Sequence, residues 1–261
     1  MKIAVTGKGG VGKTTFAAIL SRLYAADGYK TLAVDADPDA NLGLGLGLPL
    51  ELIKGIIPIS EMKDLVAERT NSKPGTYSTM FKINPKVDDI PDEYCVEYNG
   101  IRLLTMGTLD TGGGGCFCPE NVLVKRLMSH IILENKDIAI MDMEAGLEHI
   151  GRGTAESVDA FFVVVEPGIR SIQTYYQVKK LADDIGVKHV YAVANKIKDD
   201  CDREFVQNYI NDCLGFISYR DDIKTSDRYG TSPYESSQEA VEEVAEIRNR
   251  FFSMILPEKT E

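Results

Sequence analysis

The sequence predicts an α/β protein, a mostly parallel sheet with helices on both faces, folded as a single domain over residues 1–261. Two observations carry that prediction. Short apolar runs alternate along the chain with longer segments of helical period, the pattern that buried strands and their crossover helices produce. Between the first run and the first helical segment lies a complete G-x-x-x-x-G-K-[ST] sequence, Gly7-Lys8-Gly9-Gly10-Val11-Gly12-Lys13-Thr14. That spacing builds a phosphate-cradling loop when it follows a strand and opens a helix.

Taken in order, the strands are expected near 2–6, 31–35, 101–105, 137–142, 161–165 and 189–194, with a weaker one near 215–218. Each is apolar and β-branched enough to lie buried on both faces. Helices are expected near 13–27, 121–134, 171–185, 202–214 and 237–255, from apolar residues at i, i+3 and i+4. In the last of these Val241, Val244, Ala245, Phe252 and Ile255 form the expected inward stripe, and Ser236 with Glu239 has capping-box spacing. The stretch from Asn41 to Asn99 breaks the rhythm: Gly43-Leu44-Gly45-Leu46-Gly47 leads into a polar region holding Pro74, Pro85 and Pro91. It reads as an insertion of about 41–99 within the same domain, carrying short helices between two sheet strands.

Composition narrows the function. With 29 Lys+Arg against 40 Asp+Glu the net charge is −11, which argues against nucleic acid as a partner, because neutralising phosphates needs a basic surface. The longest apolar run, Ala160 to Val165, falls far short of the ~18 residues of a membrane span, so no membrane insertion is expected. Met1 to Thr6 runs directly into a strand without an apolar leader, and the expected compartment is the cytoplasm. Five cysteines are too few and too irregular for a disulfide framework, which leaves thiols or metal ligation.

The loop's chemistry follows from its residue types. Glycines let successive backbone N–H groups turn inward around an anion, and the helix N-terminus adds its positive dipole end. Lys13 is placed to neutralise β and γ oxygens, and the Thr14 hydroxyl to ligate Mg²⁺. Gly9, Gly10, Val11, Gly12, Lys13, Thr14 and Thr15 are therefore the expected nucleotide-binding set, in a P-loop NTPase. Two further acidic segments end strands, where open parallel sheets place ligands: Val34-Asp35-Ala36-Asp37-Pro38 and Ile140-Met141-Asp142-Met143-Glu144-Ala145-Gly146. A Mg·ATP site needs a carboxylate behind the metal's waters and a group that aligns the attacking water.

The second lysine of the loop, Lys8, resembles the mark of the deviant Walker A class, which includes the MinD/ParA and nitrogenase iron-protein relatives. That resemblance implies that Lys8 reaches the phosphates held by the other subunit, so that ATP lies between two protomers of a homodimer. It also implies Asp142 as the carboxylate behind the Mg²⁺ ion, Gly146 offering its N–H near the γ-phosphate, Asp37 positioning or activating water, and Asp35 supporting the metal shell. Lys8, Lys13 and Asp37 form the expected catalytic group. Ala194-Asn195-Lys196 ends another strand, where relatives pair an asparagine amide with the adenine edge; Asn195 offers the required donor and acceptor.

Thr111-Gly112-Gly113-Gly114-Gly115-Cys116-Phe117-Cys118-Pro119-Glu120-Asn121 is a feature a generic ATPase does not need. Cysteines at a helix start have depressed thiol pKa values, which favours the thiolate that binds soft metals. One C-x-C supplies two ligands where a closed tetrahedral site takes four. A twofold dimer would bring the other two, making Cys116 and Cys118 half of a shared S₄ site for Zn²⁺ or, with flatter geometry, Ni²⁺. Cys95, Cys201 and Cys213 read as structural, Cys213 on a buried helix face. His130 and His149 do too, with His149 in the segment after Asp142.

Together the deviant loop, Asp142-Met143-Glu144-Ala145-Gly146-Leu147-Glu148-His149-Ile150-Gly151-Arg152-Gly153 and Cys116-x-Cys118-Pro119-Glu120-Asn121 resemble the CooC-type accessory ATPases. The resemblance implies ATP-driven assistance of nickel insertion into carbon monoxide dehydrogenase or acetyl-CoA synthase as client. Two alternatives share the loop. A MinD- or ParA-like positioning ATPase would want a basic membrane helix or DNA face, against which residues 235–250 set Glu235, Glu239, Glu242, Glu243 and Glu246 with only Arg248 and Arg250. An iron–sulfur ATPase of the nitrogenase iron-protein type would place its cluster cysteines in two separated segments.

Overall fold

A computed structural model describes residues 1–72, 81–107, 118–134, 138–144, 158–187, 189–211 and 213–255. Among these the elements are β1 (Lys2–Gly7), α1 (Lys13–Ala26), β2 (Thr31–Ala36), α2 (Leu42–Leu46), α3 (Leu50–Ile53), a 3₁₀ turn (Ile59–Glu61), α4 (Lys63–Thr70), α5 (Ile90–Tyr94), β3 (Val96–Tyr98) and β4 (Ile101–Thr105). They continue with α6 (Pro119–Glu134), β5 (Ile138–Met143), β6 (Ala160–Val165), α7 (Ile169–Asp184), β7 (Val190–Ile197), α8 (Asp200–Tyr209), β8 (Cys213–Ser218), α9 (Asp221–Tyr229), α10 (Pro233–Ser236) and α11 (Gln238–Ile255).

The strands form one eight-stranded sheet in the order β3-β4-β2-β5-β1-β6-β7-β8. All its pairings are parallel except β3 with β4. Strands β2, β5 and β6 are buried along their whole length, as strands covered on both faces must be. Alternation then sorts side chains between two cores. Ala4, Val34 and Met141 join Leu65, Leu127 and Val178 from α4, α6 and α7. Ile3, Val5, Ala33 and Ile140 join Leu20, Leu46 and Phe251 from α1, α2 and α11 on the other face.

Several expectations are corrected. The helix expected over 202–214 stops at Tyr209, because Ile210 is extended (φ −130°, ψ 112°). Cys213 therefore opens β8 as a half-buried strand residue rather than lying on a helix face. Ser236 does not cap the last helix. It belongs to α10, where its hydroxyl donates to the Ser232 carbonyl at 2.9 Å, while Glu239 pairs with Arg220. The inward stripe of α11 is Ala240, Val241, Val244, Ile247 and Phe251, so Ala245, Phe252 and Ile255 flank it half-buried. The insertion carries the expected short helices, and also the antiparallel edge strand β3, which three residues were too few to announce. Helices α9 and α10 were not foreseen.

Candidate nucleotide site

The site lies at the C-terminal ends of β1, β2, β5 and β7, where register brings their last residues side by side. Asp35 is the pairing partner of Asp142 across β2 and β5, and Val5 is the partner of Asp142 across β1 and β5. Thr6 Oγ1 donates to the Glu144 carbonyl at 2.8 Å, tying β1 to the end of β5. Gly7 follows at φ +146°, and a Cβ there would sit 2.4 Å from the Val164 carbonyl oxygen. Only glycine lets the chain leave β1 this close to β6. Gly12 caps α1 in the left-handed region at φ +96°, and a Cβ there would meet Asn195 Nδ2 at 2.2 Å.

Thr14 Oγ1 donates to Asp142 Oδ2 at 2.6 Å. Asp142 is fully buried and its other oxygen, Oδ1, has no hydrogen-bond partner among the described residues. A buried carboxylate oxygen without a donor is costly, and a hydrated Mg²⁺ ion held beside the Thr14 hydroxyl would satisfy it. The donor set fits that ion: a hydroxyl and a carboxylate, both hard oxygens. Burial pushes the Asp142 carboxyl up to about 6, against the lowering effect of the Thr14 hydrogen bond and the Lys13 charge. Asp35 is pushed higher, to about 7, by burial and then by the charge of Asp142. Asp35 spends its oxygens on the backbone: Oδ2 accepts from Leu42 N at 2.8 Å and Oδ1 from Asp37 N at 3.4 Å. It thereby fixes the start of α2 and the turn that presents Asp37.

Lys13 Nζ lies 3.5 Å from Asp37 Oδ2, with the two side chains 7% and 17% exposed. Asp37 Oδ1 accepts from Asp39 N at 3.1 Å. Four residues foreseen from sequence, Lys13, Thr14, Asp37 and Asp142, are thus brought together. Gly9, Gly10, Gly12 and Thr15 line the same cleft, of about 720 Å³, while Val11 is buried behind it. Lys8 stands half-buried and makes no ion pair with a described residue. Asn195 lines the cleft at 8% exposure, but its amide is engaged within the chain: Nδ2 donates to the Val11 carbonyl and Oδ1 accepts from Lys196 N, both at 2.8 Å.

The expectations for Gly146, His149 and Cys116 fall outside the described residues. Cys118 is half-buried directly before α6, and its carbonyl accepts from Val122 N at 3.1 Å. Among the described residues no three His, Cys, Asp or Glu side chains gather to hold a metal. The far end of the cleft was missed from sequence: Ser218, Tyr219, Arg220, Ile223, Lys224 and Asp227 form a wall from the end of β8, through the link that follows, into α9. Arg220 is anchored to α11 through Glu239 at 2.5 Å and Glu243 at 3.0 Å, and Glu243 also accepts from Ser218 Oγ at 2.7 Å. The alternating Glu239 and Glu243 were the available signal, but one turn of helix does not reveal which cation it faces.

Residues 2–234 match the model of the CobQ/CobB/MinD/ParA nucleotide binding domain. The chain is 46% identical over 239 residues to the carbon monoxide dehydrogenase accessory protein CooC of Rhodospirillum rubrum, covering 91% of this chain and 90% of that one. It is 43% identical over 254 residues to an uncharacterized ATP-binding protein of Methanocaldococcus jannaschii, covering 95% and 96%. Among solved structures it resembles the MinD cell division protein of Aquifex aeolicus, with a TM-score of 0.67 at 20% identity over 98% of this chain and 99% of that one.

Proposed function

The chain belongs to the CobQ/CobB/MinD/ParA nucleotide-binding family, and from that premise we propose that it is an ATP-hydrolysing maturation factor that assists nickel insertion into carbon monoxide dehydrogenase or acetyl-CoA synthase. One observation carries the client: the extent of its identity to the Rhodospirillum rubrum accessory protein. The hydrolytic part is supported by the cluster of Lys13, Thr14, Asp37 and Asp142 beneath the loop.

Within that cluster each residue has a task. Thr14 and Asp142 would hold Mg²⁺, whose charge offsets that developing on the phosphate oxygens. Gly9 to Thr15 present backbone N–H groups to the phosphates, with Gly146 adding one near the γ position. Lys13 and Asp37 occupy each other at 3.5 Å. When Lys13 turns to the phosphates, Asp37 Oδ2 is released to accept a proton from the attacking water. Asp35 holds the turn carrying Asp37. Lys8, unpaired among the described residues, reaches the partner's nucleotide in an ATP-bridged homodimer. The wall of Tyr219 and Ile223 takes the adenine, and Asn195, while it holds the Val11 carbonyl, offers the base edge its second Nδ2 hydrogen and the remaining lone pair of Oδ1.

The cargo is Ni²⁺, or Zn²⁺ in its place, held by Cys116 and Cys118 of both protomers. The protein works in the cytoplasm without nucleic acid or membrane. Its last helix is acidic, docks Val244 and Phe251 into the core and pairs Glu239 and Glu243 internally, which favours a maturation factor over a membrane-bound positioning ATPase. No helix of the described residues is long and apolar enough to cross a membrane.

The test is metal content per chain with and without nucleotide, alongside the mass in solution. One tightly held Ni²⁺ or Zn²⁺ per two chains is expected, with metal promoting the dimer because binding available only to the dimer shifts the equilibrium toward it. Cys116→Ser or Cys118→Ser should each abolish that binding, since a hydroxyl cannot replace a soft thiolate, while ATP hydrolysis changes less. One metal per monomeric chain would refute the shared site.

A further inference from the structure

Two consecutive residues at the end of β7 grip two consecutive carbonyls of the phosphate loop. Asn195 Nδ2 donates to the Val11 carbonyl at 2.8 Å, and Lys196 Nζ donates to the Gly10 carbonyl at 2.6 Å. The same ammonium lies 3.4 Å from Glu166 Oε2, just past β6. Since β1, β6 and β7 are neighbours in the sheet, one lysine ties the loop after β1 to the ends of the next two strands.

The backbone is bent to make this possible. The register between β7 and β8 shifts between Ala194 and Ile197, and Lys196 sits inside that irregularity at φ +60°. A bulge re-aims side chains, and a non-glycine residue in the left-handed region is unfavourable without compensation. Here the compensation is two contacts that a regular strand could not make. Lys196 is 41% exposed and contributes nothing to either core, so packing does not account for its conformation.

We propose that Lys196 is a positioning residue for the nucleotide's phosphates, acting through the Gly10 carbonyl. A trans peptide is planar and its N–H points opposite its C=O. Holding the Gly10 oxygen outward turns the Val11 N–H into the loop, where it lies at a long 3.4 Å from the Lys8 carbonyl. Holding the Val11 oxygen outward does the same for the Gly12 N–H. Both donors are thereby set before an anion arrives, and a preset donor costs no reorganisation when the phosphates bind. Gly10 and Gly12, with no side chain to restrict them, would otherwise sample other planes.

The inference rests on the nucleotide-binding reading, and the experiment separates the two. Mg-ADP affinity is measured by calorimetry and Mg-ATP hydrolysis by phosphate release, for the full chain and for Lys196→Asn and Lys196→Arg. Asn tolerates the left-handed backbone but cannot reach Gly10. Loss of one charge-assisted hydrogen bond to the loop should weaken Mg-ADP about tenfold and lower kcat/KM by a similar factor, while the thermal midpoint of the nucleotide-free chain stays put. Lys196→Arg should recover to within about threefold. The amide ¹H–¹⁵N resonances of Val11 and Gly12 should move in Lys196→Asn and return in Lys196→Arg. Unchanged affinity in Lys196→Asn overturns the proposal. So does lost affinity with unmoved Val11 and Gly12 resonances, which would put the ammonium on the nucleotide itself. If the unsubstituted chain binds no Mg-ADP, it is the nucleotide reading that fails.

Discussion

At the phosphate end of the cleft, the first two residues of α1 meet carboxylates at the ends of adjacent strands. Thr14 meets Asp142 at 2.6 Å, Lys13 meets Asp37 at 3.5 Å, and Asp35 lies in register with Asp142. At the far end, Tyr219 stands just past β8 and Ile223 and Lys224 on a short polar helix, held through Arg220 to α11. The contrast teaches where chemistry demands rigidity. An anion and a metal require charges fixed to a fraction of an ångström, which a parallel sheet's strand ends provide. A flat, weakly polar base would ask chiefly for a surface to lie against, which many side chains can give.

Sensitivity to substitution should therefore fall steeply along the cleft. Lys13→Ala should cost about 10³-fold in Mg-ATP hydrolysis, as loss of a preorganised charge at the transferring phosphate does. Asp37→Ala should cost about 10²-fold in turnover while ATP affinity holds, so that nucleotide-bound dimer accumulates in sizing experiments. Lost affinity in that variant would give Asp37 a binding role and break the division of labour within the phosphate end.

A pH series sharpens the comparison, because the carboxyls raised by burial lie at one end alone among the described residues. Asp35 and Asp142 rise from an ordinary 3.8 to about 7 and about 6. A carboxyl whose folded pKa exceeds its unfolded value binds more protons in the folded state, so its contribution is fullest below pH 4 and is lost as pH climbs through 6 to 7. The nucleotide-free chain should lose thermal stability over that window, and Asp35→Asn should flatten the loss. Mg-ADP binding near pH 6.5 should release protons, read by calorimetry in buffers of different ionisation enthalpy. Ile223→Ala should show the smallest effect, about a threefold rise in KM from lost apolar contact with kcat unchanged. A kcat loss there as large as that of Lys13→Ala would abolish the contrast.

The same gradient governs what could be read from sequence. Lys13 and Thr14 were legible because a phosphate loop admits few spacings, and β2, β5 and β6 because burial on both faces leaves continuous apolar runs. The end of the helix at Tyr209 was not, because the apolar period runs on through Ile210 while the backbone turns extended. Helix α9 was hidden by its composition: Asp221, Asp222, Lys224, Thr225, Asp227 and Arg228 leave little apolar stripe to detect. The grip of Asn195 and Lys196 on the loop was hidden for another reason. It depends on a shift in strand register that no residue type announces.

Arg220 gives the last helix a reach beyond its own packing. Its guanidinium lines the cleft yet is gripped from α11 by Glu239 and Glu243, and that helix begins at Gln238. A shortened chain ending before that residue would keep every motif and still bare the hydrophobic seat of Val244 and Phe251. It would also leave Arg220 swinging over the cleft mouth. For protein engineering the carboxyl end is thus no convenient place to trim, and a reporter fused there should follow the whole of α11 rather than replace any part of it.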